Sequence, residues 1–402
     1  MREAVIVGYL RSPMSRSRPG DIDRASRDVF NDLRMDELAA EVVNEMFART
    51  GVDKADVDEF VTGCALGVGE NWSWGGRAIP LLAEFPVKVP AKMIDQQCCS
   101  SMAAVQLGAM EIMLGMAEVA VAVGIEHMTH VAMVNNFMVQ PSPKFLEEPK
   151  YFVDRDIATA LSMGLTAEKL AKQSGITREE MDQWSVRSHQ LAAKALEEGF
   201  FADEIMPVKV QTPAGEMVVD HDVSIRKGAS LEDMAKLRPA FKLGGVITAG
   251  NSSPVNAGAS AMIVMSKDAA RARGLKPLAT IRAMASYGVE PSVMGEGPVP
   301  AAKRALQQAG LEAADIDLWE INEAFAVVTL NAIKELGLDP DKVNVKGGAI
   351  ALGHPLGVTG TRMLGTVGRL LNQQGKRYGL ATACIGGGQG SATIIEREEY
   401  DW

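Results

Sequence analysis

Residues 51–58 read GVDKADVD and residues 310–317 read GLEAADID, one pattern of Gly-apolar-acid-x-Ala-Asp-apolar-Asp repeated at an offset of 259. A stretch with helical periodicity precedes each copy, DELAAEVVNEMFART before the first and PVPAAKRALQQA before the second. A strand-like run follows each, EFVTGCALG and LWEINEAFA. About forty residues beyond each copy a sharp turn opens a small-residue helix, IDQQCCSSMAAVQLGAMEIMLG in one case and GGAIALGHPLGVTGTRMLGTVGRLL in the other. Apolar runs close both units, VAVAVG at 119–124 and LATACIGGG at 380–388. A chain built this way is predicted to form two related βαβ-rich halves. Each half presents a helix start in an equivalent place, Cys98 in the first and the His354 loop in the second.

The stretch between the halves has a different texture. Residues 129–243 hold HMTH, a proline-containing loop, the helical MGLTAEKLAKQSG and TREEMDQWSVRSHQLAAKALEEG, and the polar IRKGASLEDMAKLRPAFK. The run GVITAGNSSPVNAGASAMIVMS then reads as the closing strands of the first half. The expected organisation is a first half from 1–128 plus 244–272, an inserted domain at 129–243 and a second half at 273–402. The full length of 402 residues accommodates it, since domains run to about 150 residues each.

Composition narrows the function classes. Hydrophobic residues at 47% and charged residues at 23% are ordinary for a globular chain, which excludes disordered and fibrous classes. A net charge of −10, with no block of like charges, argues against a nucleic-acid partner. No apolar run reaches the roughly eighteen residues a membrane span needs. The amino-terminal MREAVIVG reads as a first strand rather than a signal peptide, so a cytoplasmic location is expected. Four cysteines (Cys64, Cys98, Cys99, Cys384) suggest a reducing compartment rather than a disulfide framework.

The candidate chemistry lies at strand–helix junctions. Cys98 opens a helix, where free N–H groups and the helix dipole favour a thiolate; a buried thiol serving only as a small hydrophobe is the competing reading. His354 sits between Gly353 and Pro355, a fixed turn from which an imidazole can act as a base. Cys384 ends an apolar strand and runs into Ile-Gly-Gly-Gly-Gln-Gly, whose N–H groups could face an oxyanion. Asn322 follows another strand and could hold a water or cap a helix. Two cysteines, a histidine and an asparagine so placed are the set expected for acyl transfer through a thioester. Glu126-His127-x-x-His130 is a weak metal motif, and no metal is expected. The 22 methionines, many between 93 and 138, could line an adaptable acyl pocket or simply fill the core.

DQQCCSSMAA, NEAFA (322–326), GGAIALGHPLG (347–357) and CIGGGQG (384–390), in that order, resemble the signature motifs of thiolases. TAGNSS (248–253), MGLTAE (163–168) and MGEGPVPA (294–301) extend the resemblance over nearly the whole chain. It implies an α/β thiolase fold, with duplicated βαβαβαββ halves in a five-layered αβαβα arrangement and an inserted loop domain. It also implies roles. Cys98 would take the acyl group and His354 would deprotonate it. Cys384 would serve as the acid/base, and Asn322 would hold a water in an oxyanion hole. The N–H groups of Cys98 and Gly386 would form a second hole. Coenzyme A would be the co-substrate, held by Arg226, Ser253, Ala249 and Met163, with Arg226-Lys227, Lys236 and Arg238 as the local positive patch. An acyl-CoA substrate, a homodimer or dimer of dimers, and complexes with hydratase/dehydrogenase subunits or a small zinc-ribbon/OB-fold subunit are further implications.

Several positions depart from the family pattern: Asp95 stands where Asn is usual, Ser101 where Gly is common, and Ala257 where Asp is frequent. Pro254 follows the CoA-contacting serine, Cys99 adjoins the nucleophile, and Ser162 replaces a histidine often seen in biosynthetic members. The ensemble resembles the degradative 3-ketoacyl-CoA thiolases more. An ionised Asp95 close to Cys98 would oppose thiolate formation unless otherwise paired. Thiolytic cleavage of a 3-oxoacyl-CoA is the leading reading. Its competitors are biosynthetic Claisen condensation on the same site, an inactive thiolase-like scaffold subunit, a decarboxylating ketoacyl synthase, and action on an aromatic or dicarboxylic 3-oxoacyl-CoA.

Overall fold

A computed structural model describes residues 2–134, 136–212, 215–400 and 402. The first half runs β1 (Ala4–Arg11), α1 (Met35–Thr50), β2 (Glu59–Gly63), a short helix at Ala78–Leu82, β3 (Ala91–Ile94), α2 (Ser100–Met113) and β4 (Val119–His127). An excursion then carries α3 (Met163–Ser174), α4 (Arg178–Glu197) and the hairpin β5 (Val208–Thr212) and β6 (Gly215–Val219), before β7 (Ala257–Ser266). The second half runs β8 (Ala279–Gly288), α5 (Pro298–Ala309), β9 (Leu318–Ile321), α6 (Ala326–Leu336), α7 (Thr359–Gln374), β10 (Tyr378–Ile385) and β11 (Gln389–Glu396).

The repeated octapeptide has a local physical reason. Gly51 and Gly310 take left-handed φ values of 69° and 67° and stop α1 and α5, a conformation that costs glycine nothing. The following acid caps a single 3-10 turn, Asp53 accepting from the Ala55 N–H and Glu312 from the Asp315 N–H in a reciprocal box. Buried Val57 and Ile316 then lead the chain into β2 and β9, whose first residues, Glu59 and Leu318, keep the 259-residue offset.

The strands form one sheet in the order β3-β2-β4-β7-β1-β8-β11-β10-β9. Its halves mirror each other: β2 pairs in parallel with β3 and β4, and β9 in parallel with β10. The β4–β7–β1 and β10–β11–β8 pairings are antiparallel. Among the described residues, the two half-sheets are joined through two residue pairs, Val5 with Thr280 and Ile6 with Ala279. The third strand of the second half is reduced to a single parallel bridge between Trp319 and Val343. Asn344 explains the reduction, because its φ of 48° turns the chain out of extended geometry. Its side-chain amide continues the ladder instead, bonding Ile321 N and Ile321 O at 2.9 Å each.

Alternation along the strands builds three cores and hence five layers. Val119, Val121 and Val123 of β4 point outward to α1, whereas Ala120 and Ala122 point inward. The inward side is shared by α2 and α7 with Ala381, Ala383 and Ile395 of the opposite half. Leu380, Ala392 and Ile394 face the other way, onto α3, α5 and α6. Small side chains face the centre because two helices must fit between the half-sheets. Ser101, where glycine is common in the family pattern, clasps them by accepting from the Thr361 N–H at 3.1 Å.

Candidate active site

The starts of α2 and α7 bring Cys98 and the His354 loop together. β3 ends at Ile94, and Asp95 then caps the turn, accepting from the Gln97 N–H at 2.8 Å and from Gln97 Nε2 at 3.2 Å. Gln97 is held at φ 47°, a strained value for a non-glycine residue immediately before the nucleophile position. Asp95 thus shapes the turn, while its charge still opposes thiolate formation at Cys98. Cys98 is 7% exposed and packs with Ala65, Met128, Leu356 and Val255. Burial pushes its thiol up to about 12, with Glu126 and Asp95 adding to the rise and the Gly386 N–H opposing it.

His354 is buried, and its backbone N–H and both ring nitrogens are engaged. Its N–H donates to Asn256 Oδ1 at 2.7 Å. Its Nδ1 lies 2.6 Å from Thr359 Oγ1, whose own proton goes to the Pro355 carbonyl at 3.0 Å. The hydroxyl therefore accepts, Nδ1 carries the ring proton, and Nε2 keeps its lone pair. Asn322 Nδ2 donates to that Nε2 at 3.3 Å. Burial, with the Arg362 charge adding to it, holds the imidazole down at about 3. Asn322 Oδ1 is buried without a partner, an acceptor free for a water or substrate proton. Cys384 is fully buried, its thiol pushed upward by burial and by the neighbouring Cys98.

Glu126, at the end of β4, fixes the loop that carries His354. Its carboxylate accepts from the N–H groups of Ala65 at 2.9 Å, Leu66 at 3.2 Å and Gly357 at 3.0 Å, and from Asn71 Nδ2 at 3.0 Å. Gly357 passes so close that a Cβ there would run into the Ile125 and Gly63 carbonyls. Burial pushes the Glu126 carboxyl up to about 7. Glu323, next to Asn322, is equally buried and accepts from Trp184 Nε1, Ser188 Oγ, Asn344 Nδ2 and Ile350 N. The active-site loops are thereby rooted in the α4 helix of the excursion.

Residues 5–268 match the family model of the thiolase N-terminal domain, and residues 275–397 that of the thiolase C-terminal domain. The chain belongs to the thiolase family. It is 43% identical over 403 residues to the 3-ketoacyl-CoA thiolase of Saccharophagus degradans (strain 2-40), covering 98% of each chain. It is 41% identical to that of Bacillus subtilis (strain 168), covering 98% of this chain and 100% of the other. Human mitochondrial 3-ketoacyl-CoA thiolase superposes with a TM-score of 0.88 at 35% identity, over 99% of both chains. The same human enzyme in complex with CoA gives 0.87 at 35% identity, over 99% of this chain and 98% of the other. The fold is the thiolase fold.

Within this thiolase chain the residues expected to hold CoA are less tightly grouped. The Met163 sulfur lies close to Gly386, beside Gln97. Ser253 is half-buried and donates both its N–H and its hydroxyl to the Ala324 carbonyl of the NEAFA segment. Ala249 is exposed, and so is Arg226, whose N–H donates to His189 Nδ1 at 3.2 Å. The expected basic patch changes composition. Lys227 is paired with Glu197, and Lys236 with Glu232 and Asp233. Arg16, which follows β1, lies near both Arg18 and Arg226.

The EHxxH reading is also revised. Glu126 is committed to the His354 loop, and Glu70 takes its place beside His127 and His130, with ligand atoms within 4.8 Å of one another. The two rings stack with their centroids 3.8 Å apart and their planes 11° from parallel. His127 Nε2 meets the Phe30 carbonyl, and His130 Nδ1 meets Glu70 Oε1 at 2.8 Å. Among the methionines at 93–138, Met128 packs on Cys98, while Met110 and Met116 are exposed. No helix of the described residues is long and apolar enough to cross a membrane. Asn256 and Thr359 are site residues that the motifs did not single out, and Glu126 was read there only as part of a weak metal motif.

Proposed function

We propose that this thiolase cleaves a 3-oxoacyl-CoA with CoA, giving acetyl-CoA and an acyl-CoA shortened by two carbons. The observation that carries the reading is the His354 tautomer: Nε2 is held unprotonated beside Asn322, in the loop whose Leu356 packs on Cys98.

His354 Nε2 takes the Cys98 proton, and the sulfur attacks the 3-oxo carbon. The carbon–carbon bond breaks, and the electron pair leaves on the acetyl-CoA unit as an enolate, which Cys384 protonates. The acyl group stays on Cys98 as a thioester. In the second half-reaction the thiol of incoming CoA gives its proton to the Cys384 thiolate and attacks the acyl carbon. Cys98 leaves and recovers its proton from His354. The N–H groups of Cys98 and Gly386 serve the oxyanion on the acyl carbon, and His354 with an Asn322-held water serves the enolate oxygen. Arg226, Ser253, Ala249 and Met163 are assigned to CoA, with 129–243 as the loop domain between halves 1–128 plus 244–272 and 273–402. A homodimer or dimer of dimers is the assembly that accompanies this reading.

Intact-mass measurement after mixing with acetoacetyl-CoA or a longer 3-oxoacyl-CoA tests it. An acyl adduct on Cys98 that free CoA discharges is expected. No adduct across a broad 3-oxoacyl-CoA panel would return the chain to the scaffold reading. A Cys384→Ala variant is expected to lose nearly all turnover; full turnover would remove Cys384 from the acid/base role.

A further inference from the structure

Beneath the catalytic groups lies a buried ion pair that the reaction as written does not use. Glu320 of β9 accepts from Arg362 Nη1 of α7, and both side chains are 1% exposed. The pair is poorly satisfied, because Arg362 Nε and Nη2 and Glu320 Oε1 find no hydrogen-bond partner among the described residues. Burial pushes the Glu320 carboxyl up to about 7 even with Arg362 opposing the rise, a sign of what enclosing it costs. Well-packed apolar side chains in place of such a pair are often neutral or stabilising, so stability does not account for it.

The duplication supplies an internal comparison. β2 and β9 keep the offset of 259, which puts Val61 in the place of Glu320. Val61 is fully buried in the central core and fills that place without a charge. The half that carries the charge is the half that carries the base.

Both ends of the pair stand next to the groups that hold His354. Trp319 and Ile321 face the outer core, so Glu320 and, two residues on, Asn322 share the inner side of the strand. The Asn322 N–H donates to the Thr382 carbonyl at 3.0 Å and continues the β9–β10 ladder. Thr359 precedes Arg362 by three residues, about one turn of α7. Two rungs therefore join the same strand to the same helix. One runs from Asn322 through His354 to Thr359, with contacts of 3.3 and 2.6 Å, and the other is Glu320–Arg362. The 3.3 Å contact already exceeds the usual range, so a small slip between β9 and α7 would open it. The ring also feels the pair directly, since the Arg362 charge adds to burial in lowering His354.

We propose that Glu320 and Arg362 are positioning residues for the base, fixing the spacing of β9 and α7 so that Asn322 and Thr359 hold the His354 ring at both nitrogens. This inference rests on the thiolase reading above.

The test compares wild type with Arg362→Met, Arg362→Lys and the double variant Glu320→Met with Arg362→Met. It reads kcat and KM for acetoacetyl-CoA with CoA, and the nitrogen-15 spectrum of histidine-labelled protein. The chain has five histidines, and a His354→Gln variant assigns the ring in question. The double variant is expected to fold with wild-type stability in urea or better. Its kcat should fall about tenfold to a hundredfold, the size of a small misplacement of a catalytic group, with KM changed less than about twofold. The His354 ring resonances should move while those of the other histidines stay. Arg362→Lys, which keeps the charge, should retain more kcat than Arg362→Met. Wild-type kcat in the double variant, a loss seen only in KM, or a fall in kcat with the His354 resonances unmoved overturns the proposal. Should the double variant fail to fold, Glu320→Gln, which keeps the shape and the contact to Arg362, decides by the same two readouts. Failure of the thiolase reading looks different: wild type then turns over no 3-oxoacyl-CoA, and the His354 resonances alone decide whether the pair places the ring.

Discussion

Cys98 and His354 rest as a neutral thiol and a neutral imidazole, because burial opposes charge on both. The free protein therefore has little thiolate to offer at neutral pH, and substrate must complete the surroundings that stabilise it. Alkylation of Cys98 by iodoacetamide, followed by peptide mass mapping to separate it from Cys99, should keep accelerating with pH beyond 9. A plateau beginning near pH 7 would show a preformed thiolate–imidazolium pair and sink this account. Glu126 makes a second prediction. Its folded pKa of about 7 lies above the ordinary 4.5, so the native state holds the proton more tightly than the unfolded chain. That contribution is fully present below about 4.5 and is lost as pH rises through 7. Relative to a Glu126→Gln variant, which cannot titrate there, wild-type stability in urea should fall between pH 5 and pH 8. A pH-independent difference would contradict the assignment.

Elements were legible where their reasons are local. The octapeptide could be recognised twice because a helix-stopping glycine, a capping acid and a buried strand lead fit within eight residues. Cys98, His354, Asn322 and Cys384 were legible because each stands at the end of such an element. Asn256 and Glu126 were not, since they reach their partners across 98 and 231 residues of chain. The pairing of Lys227 with Glu197, and the approach of Arg16 to Arg226, were hidden for the same reason: they are settled in space rather than along the chain. The missing third strand of the second half was equally hidden, because it depends on Asn344 substituting its side chain for backbone. Asn344→Ala should cost about 2–4 kcal/mol, leaving the buried Ile321 N–H and carbonyl unpaired and straining a positive φ. Asn344→Gly relieves only the strain. Were glycine to restore full stability in urea denaturation, the side-chain ladder would carry no weight.

At the scale of the whole molecule, one buried cluster joins parts that the sequence keeps far apart. Arg11 at the end of β1 bonds Asp222 at 2.7 and 2.9 Å and Glu204 at 3.0 Å, both in the excursion. Glu204 in turn accepts from Arg369 of α7 at 2.7 Å. Removing one member strands a buried charge, so Asp222→Ala should cost about 3 kcal/mol or more. A loss below about 1 kcal/mol in urea denaturation would show that the remaining partners compensate. The same linkage predicts that the halves and the excursion unfold in one transition.

The placing of β7 also sets an order of events during synthesis. Its partner β4 ends at His127, and β7 begins at Ala257, so the ribosome must deliver 130 further positions before the first half-sheet can close. At about 5–20 residues per second this delay lasts roughly 7–26 seconds. Throughout it the alanine-rich inner face of β4 and the flank of α2 have no opposite half to cover them, because α7 is translated later still. An apolar face that the finished fold hides at its centre is thus bare for as long as the excursion is being made.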